Sequence, residues 1–149
     1  MDARPGAPNV IPGRVEFTID MRSPSDDVRH RAQRELLALL RDIAVRRRIE
    51  METRIYQEIP ATALDAGIIA AVREAIAACG LEVLELSSGA GHDAMMMAKL
   101  CPSGMIFLRC KDGISHNPAE SITVEDADMG VRVLLETVRR VDRHLRVRS

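Results

Sequence analysis

Aromatic side chains are almost absent from this sequence. Phe17, Tyr56 and Phe107 make up the aromatic share of 2%, and there is no tryptophan. Any core must therefore be built from aliphatic side chains and methionine. The hydrophobic content of 46% over 149 residues is enough for a core of this kind in a chain the size of one ordinary domain.

Cysteine, net charge and long apolar runs are also scarce. Cys79, Cys101 and Cys110 have no metal-type spacing, and an odd number of cysteines without a signal peptide is typical of a reducing cytoplasm. The net charge is −1 and acids alternate with bases, which disfavours nucleic acid or an anionic membrane as a partner. No apolar run approaches the length of a membrane span. We therefore expect a cytoplasmic protein.

The first part of the chain has the pattern of a strand, a helix and a second strand. Apolar and polar residues alternate from Val15 to Arg22, which predicts a strand with one polar face. Ser25 is a good N-cap for a helix that should run to about Arg48. Alternation returns between Glu50 and Ile59, which predicts the second strand.

The second part alternates helices and strands, as expected of an α/β fold. Thr62 or Asp65 can cap a helix that stops at Gly80, and Thr123-x-x-Asp126 can cap the last helix. Between them we predict strands at 81–86 and 105–108 and a short helix at 94–100. The predicted apolar stripe of the last helix consists of Ala127, Val131, Leu134, Val138, Val141 and Leu145.

Two small-residue segments each contain a histidine and are the candidate functional motifs. In Ser87–Ala94, the glycines at 89 and 91 would let backbone N–H groups at a helix start reach a ligand oxygen. In Gly113–Glu120, His116 lies in a polar loop, where a neutral imidazole is a candidate metal ligand. The alternative for His116 is a loop histidine bonded to the backbone.

Read together, these motifs resemble one enzyme group. Ser-Gly-Ala-Gly-His-Asp-Ala at 88–94, Gly-Ile-Ser-His-Asn-Pro-Ala-Glu at 113–120, Asn9-Val-Ile-Pro-Gly and Asp20-Met21-Arg22 are similar to the C-terminal part of N-carbamoyl-L-amino-acid hydrolases and allantoate amidohydrolases. That group belongs to the M20 metallopeptidase-like amidohydrolases. Residues 1–8 contain Pro5, Gly6 and Pro8 and little to bury, so we expect this segment to be loose. The resemblance implies a strand–helix–strand half of a ferredoxin-like lid and dimerisation domain at 9–60. The C-terminal α/β part of a catalytic domain would follow at 61–149.

The resemblance also implies roles for five residues. Asn9 and Arg22 match residues that reach the substrate from the lid of the neighbouring subunit, and a planar guanidinium suits a substrate carboxylate. Gly91 matches a glycine whose backbone contacts substrate, with His92 beside it, and His116 matches a metal-binding histidine. The alternatives are a turn role for Asn9, a surface strand position for Arg22 and a packing or capping role for His92.

What the sequence lacks limits its chemistry. The family's other metal ligands and its catalytic glutamate lie upstream of the segment that Asn9 begins, and none is present here. The resemblance thus implies a fragment of a metal-dependent amidohydrolase that cleaves the carbamoyl C–N bond of an N-carbamoyl amino acid or allantoate, with two zinc, manganese or cobalt ions per complete site. We expect no catalytic residue in this chain, no activity from it alone, and a homodimer. The alternatives are a non-catalytic dimerising module and an aminoacylase- or peptidase-like member of the same family.

Overall fold

The computed structural model describes the main chain of residues 1–148 and the side chains of residues 1–143. It divides into two compact units, one of residues 1–61 and one that begins at Thr62. In order, the elements are β1 (Asp2–Arg4), β2 (Arg14–Glu16), α1 (Asp26–Arg47), α2 (Ala66–Ala78), α3 (Ala94–Met97), a short 3₁₀ helix (Lys111–Gly113) and α4 (Val124–Arg148). The protein is thus a mixed α and β structure with several helices and few strands.

The first unit opens with a short antiparallel hairpin. β1 pairs with β2, with Asp2 opposite Glu16 and Arg4 opposite Arg14. This corrects two expectations: residues 1–8 include a strand, and the strand predicted from Val15 to Arg22 is paired only as far as Glu16. The physical reason is that a strand exists only where a neighbour bonds to it, and β1 is three residues long.

Helix α1 follows the sequence prediction closely. The Ser25 hydroxyl accepts the Val28 N–H at 3.5 Å, and Asp26 and Asp27 lie in the first turn. Arg48 closes the helix in the left-handed conformation, and Arg46 and Arg47 complement the dipole at this end. A single unbroken helix therefore forms the middle part of the sequence of this unit.

The strand predicted from Glu50 to Ile59 is wrong. No part of this segment belongs to a strand, because alternation selects one wet and one dry face but cannot supply the hydrogen-bonding neighbour. Its C-terminal end is held by polar contacts instead. Both carboxylate oxygens of Asp26 accept the Ala61 N–H at 3.1 Å.

The second unit is built on helices α2 and α4, which pack against each other. Asp65 caps α2 by accepting the Ile68 N–H at 2.9 Å, and Gly80 ends it with a φ of +75°. Thr123 starts α4, since its hydroxyl accepts the Asp126 N–H at 3.0 Å and donates to the Asp126 carboxylate at 2.8 Å. Both caps were predicted from the sequence.

The strands predicted at 81–86 and 105–108 are also wrong. Residues 81–89 and 102–110 have no strand assignment, for the same reason as in the first unit. The short helix predicted at 94–100 ends at Met97 and continues as turns. Within residues 1–148 the only sheet is thus the two-stranded hairpin.

Three residues of the apolar stripe predicted for α4 are exposed and do not face the core. Val131, Leu134 and Val138 are 64%, 53% and 56% exposed, whereas Val133 and Thr137 are buried at 3% and 6%. The side chain of Leu145 lies outside the described residues. The face toward α2 is therefore offset from the most apolar stripe.

No helix within residues 1–148 combines the length and apolar character needed to cross a membrane.

Candidate functional site

Asn9 lies in a turn within the loop that joins β1 to β2. The Val10 N–H donates to the Ala7 carbonyl at 3.3 Å, which places Pro8 and Asn9 at the two central positions. The Gly13 N–H donates to the Arg4 carbonyl at 2.9 Å and closes the base of the loop. Asn9 is exposed, so its amide is presented at a defined position on the first unit.

Arg22 is exposed and already paired with a carboxylate. Its Nε donates to Asp20 Oδ1 at 2.9 Å, and a second contact joins Nη2 to Oδ2. The hydrogen bond from Arg22 lowers the pKa of Asp20, and the same bond raises the pKa of Arg22. A bidentate fork is the geometry that a substrate carboxylate would also use. A ligand acid would therefore compete with Asp20 for this guanidinium.

Gly91 stands in an open part of the second unit. A Cβ built on it would have no neighbouring heavy atom within 4 Å. The residue is exposed and lies three positions before Ala94, the first residue of α3. Its backbone is therefore open to solvent, and the contact with substrate stays a prediction.

His92 is held by two different contacts. Its Nε2 lies 2.6 Å from the Ser88 hydroxyl, which also accepts the Ala90 N–H at 3.1 Å. Its ring meets the edge of Phe107, with centroids 5.7 Å apart and planes at 71°, a favourable aromatic geometry. Sequence reasoning named His92 but missed Ser88 and Phe107. The signal for Ser88 was its position four residues before His92, within one short loop.

His116 occupies a strained position in a loop tied together by backbone bonds. Its φ is +54°, a left-handed value that is uncommon for a non-glycine residue. The Glu120 carboxylate accepts the His116 backbone N–H at 2.8 Å, and the Lys111 N–H donates to the Ser121 carbonyl at 2.8 Å. Glu120 thus bonds to the main chain of His116 and not to its imidazole. His116 is an exposed residue.

The described residues do not fit a complete metal site. No group of three His, Cys, Asp or Glu side chains within them could hold an ion, and a catalytic site usually needs about three protein ligands. His116 therefore supplies one donor at most, and no catalytic step through a metal can be derived from this chain.

The candidate residues are divided between the two units. Asn9 and Arg22 belong to the first, and Gly91, His92 and His116 belong to the second. Gly91 and His92 share one loop, whereas His116 lies in the next.

A polar cluster at the start of α1 escaped sequence reasoning. His30 Nε2 donates to Glu58 at 2.7 Å, and Arg29 reaches Glu58 at 3.2 Å and Asp26 at 3.0 Å. The Ala61 N–H and then Arg29 lower the pKa of Asp26, and His30 and then Arg29 lower that of Glu58. His30 therefore helps to hold the 58–61 segment against α1.

Comparison with known proteins gives the class to which this fold and these motifs belong. The model of peptidase family M20/M25/M40 matches residues 3–140, which is most of the chain. The chain therefore belongs to this family.

Within the family, the similarity falls on amidohydrolases. An N-carbamoyl-L-amino acid amidohydrolase of Geobacillus stearothermophilus is 39% identical over 134 residues, covering 90% of this chain and 33% of the relative. An allantoate amidohydrolase of Bacillus subtilis is 34% identical over 134 residues, covering 90% and 32%. The crystal structure of a hydantoinase/carbamoylase family amidase from Burkholderia multivorans matches with a TM-score of 0.86 at 39% identity, covering 91% of this chain and 33% of that one. The chain thus spans about a third of the length of these relatives.

Proposed function

We propose that this chain contributes to a metal-dependent amidohydrolase that cleaves the carbamoyl C–N bond of an N-carbamoyl amino acid or of allantoate. The observation that carries the proposal is the similarity to amidohydrolases of these two names across 90% of the chain. The motif residues support it, because Asn9, Arg22 and Gly91 are all exposed residues that a small ligand can reach.

In this proposal the first unit is half of a ferredoxin-like lid and the second is the C-terminal part of a catalytic domain. Arg22 and Asn9 bind the substrate acid, with the guanidinium exchanging Asp20 for the substrate carboxylate. Exposed ion pairs of this type contribute little to stability, so a substrate carboxylate can replace Asp20. Gly91 offers its backbone to the substrate, with His92 beside it.

His116 is the residue of this chain proposed to bind a divalent ion such as zinc, manganese or cobalt. A neutral imidazole is a suitable donor for such ions. Glu120 fixes the main chain on which that imidazole is mounted, through the 2.8 Å bond to the His116 N–H. The other ligands and the general base would come from outside this chain, since no three His, Cys, Asp or Glu side chains among the described residues are grouped to hold an ion.

We further propose that the first unit forms a homodimer contact. None of its residues is buried, and Phe17, Ile55 and Tyr56 are 56%, 62% and 77% exposed. Exposed apolar patches commonly mark protein interfaces. Light scattering at micromolar concentration tests this proposal: a mass of two chains supports it, and a stable monomer contradicts it.

The activity is tested with a chimera in which this chain replaces the matching third of the Geobacillus stearothermophilus relative. We expect ammonium release from an N-carbamoyl-L-amino acid or from allantoate. Hydrolysis of an N-acetyl amino acid or a dipeptide, with neither ureido substrate cleaved, would instead favour the aminoacylase- or peptidase-like alternative.

The 149-residue chain by itself is the matched control for the chimera. It should release no ammonium from either substrate, even with added zinc, manganese or cobalt, because one imidazole cannot hold a catalytic ion. A metal-dependent activity of the chain alone would show that more of a site is present than His116.

A further inference from the structure

The loop around His92 carries an inference about how the ring is oriented. His92 Nε2 lies 2.6 Å from the Ser88 hydroxyl. The ring also makes an edge contact with Phe107, with the two ring centroids 5.7 Å apart. One hydrogen bond and one ring contact fix both the position and the plane of the imidazole. Because Nε2 is engaged, Nδ1 is the ring nitrogen left for a ligand.

The hydrogen bonds around Ser88 also indicate which nitrogen carries the proton. The Ser88 oxygen already accepts the Ala90 N–H at 3.1 Å. A serine hydroxyl has one hydrogen to donate, and among the described residues the acceptor within its reach is His92 Nε2. If the hydroxyl donates to Nε2, its hydrogen has an acceptor within the loop, and the neutral ring carries its proton on Nδ1, where the N–H is left for a ligand.

We propose that Ser88 is a positioning residue that keeps His92 Nε2 as an acceptor, so that Nδ1–H is presented to an oxygen of the substrate. This inference rests on the proposed function, in which Gly91 and His92 lie beside the substrate. A substrate with a carboxylate and a ureido carbonyl has several oxygen atoms that accept hydrogen bonds. A protein group that binds one of these oxygens must therefore be a donor. Ser88 acts through His92 and does not itself touch the substrate.

The test is the tautomer of His92, read by two-bond ¹H–¹⁵N correlation in the chain labelled with ¹⁵N-histidine. At about pH 8.5 an ordinary imidazole is neutral, and the His92 signals are assigned by their loss in His92→Gln. We expect the Nδ1–H pattern in the unsubstituted chain. Ser88→Ala should lose that pattern and show the Nε2–H form, whereas Ser88→Thr, which keeps the hydroxyl, should retain it.

Ser87→Ala is the matched control, because it removes the adjacent serine hydroxyl and should leave the pattern unchanged. Circular dichroism of each variant checks that the helices persist. An Nε2–H pattern in the unsubstituted chain overturns the proposal. This measurement does not depend on whether Ser88→Ala folds. An unchanged pattern in a folded Ser88→Ala also overturns it.

The substrate part of the inference is tested separately in the active chimera. Ser88→Ala should raise KM for the ureido substrate more than it lowers kcat, and Ser88→Thr should restore KM. Unaltered KM in Ser88→Ala would overturn the role toward substrate. Since the tautomer is read without substrate or metal, an inactive chimera would count against the proposed function and leave the Ser88 assignment standing.

Discussion

The two units of this chain are each stabilised internally, by different kinds of interaction. The second unit contains the buried side chains of the described residues, Ala75, Val133 and Thr137, on two helices that pack against each other. The first unit has no buried residue. Its long helix is fastened to the following segment by Asp26, Arg29, His30 and Glu58.

This difference in stabilising interactions predicts which conditions should affect the stability of each unit. Apolar packing depends on shape, so the second unit should respond more to added volume than to salt or acid, although an ion pair between Arg140 and Glu74 also joins α4 to α2. Exposed ion pairs are screened by salt and lost when their carboxylates gain protons. The first unit should therefore respond to charge and little to volume.

The largest expected effect separates the proposed roles of the two units in the active chimera. His116→Ala in the second unit should lower kcat by about a hundredfold or more, since even the partners of metal ligands contribute about 10–100-fold. Arg22→Ala in the first unit should act mainly on KM, raising it by about tenfold through the lost carboxylate contact. Steady-state kinetics of ammonium release measures both.

Arg4→Ala is the matched control for Arg22→Ala. Arg4 Nε donates to Asp2 at 2.9 Å across the same two-residue spacing as the Arg22–Asp20 pair, and both arginines are exposed. It should leave KM unchanged. Equal effects of the two variants would mean that Arg22 is only a surface residue.

A smaller effect tests shape dependence in the second unit. A Cβ on Gly104 would lie 2.5 Å from Ile68 Cγ2, and a β-branched side chain in a helix has little rotamer freedom to move away. Gly104→Ala should therefore destabilise this unit by about 1–3 kcal/mol. Urea unfolding followed by circular dichroism measures it.

Gly130→Ala is the contrasting variant. Its Cβ would also meet a side chain, but the atom it meets is the flexible end of Leu108. The gain of about 1 kcal/mol from alanine in a helix interior offsets the rearrangement. Near-neutral stability is expected, and an equal loss in both variants would contradict the role of Ile68 stiffness.

The smallest expected effect is the loss of one tether in the first unit at low pH. The pKa values of Asp26 and Glu58 are lowered in the folded chain, so their stabilisation is present above the ordinary carboxyl value of about 4. It is lost as pH falls through the lowered folded values. The Ala61 amide should then lose its bond to Asp26, which its NMR chemical shift and hydrogen-exchange protection report.

The Cys79 amide in the second unit provides the control for this titration. It donates to the Ala75 backbone carbonyl at 3.0 Å, an acceptor that does not titrate. Asp26→Asn should weaken the Ala61 tether at neutral pH as acid does in the parent chain. A pH response of the same size at both amides would show general unfolding and refute the local explanation.

Local signals in the sequence were enough to predict the three longer helices and the residues that cap their N-terminal ends. Ser25, Asp65 and Thr123 cap their helices as predicted, since a cap involves groups only three residues apart. The resemblance of the motifs also identified the family, which the match over residues 3–140 shows. The loops that carry Asn9, Gly91 and His116 follow from turn chemistry and glycine content in the same local way.

Tertiary structure decided what depends on partners distant in the chain. The strands predicted at 50–59, 81–86 and 105–108 are not formed, because a ladder needs a neighbour that alternation alone cannot specify. The buried face of α4 is set by α2 and centres on Val133 and Thr137, while the more apolar Leu134 stays exposed. The contacts of His92 with Phe107 and of His30 with Glu58 likewise join residues 15 and 28 positions apart, and only folding brings them together.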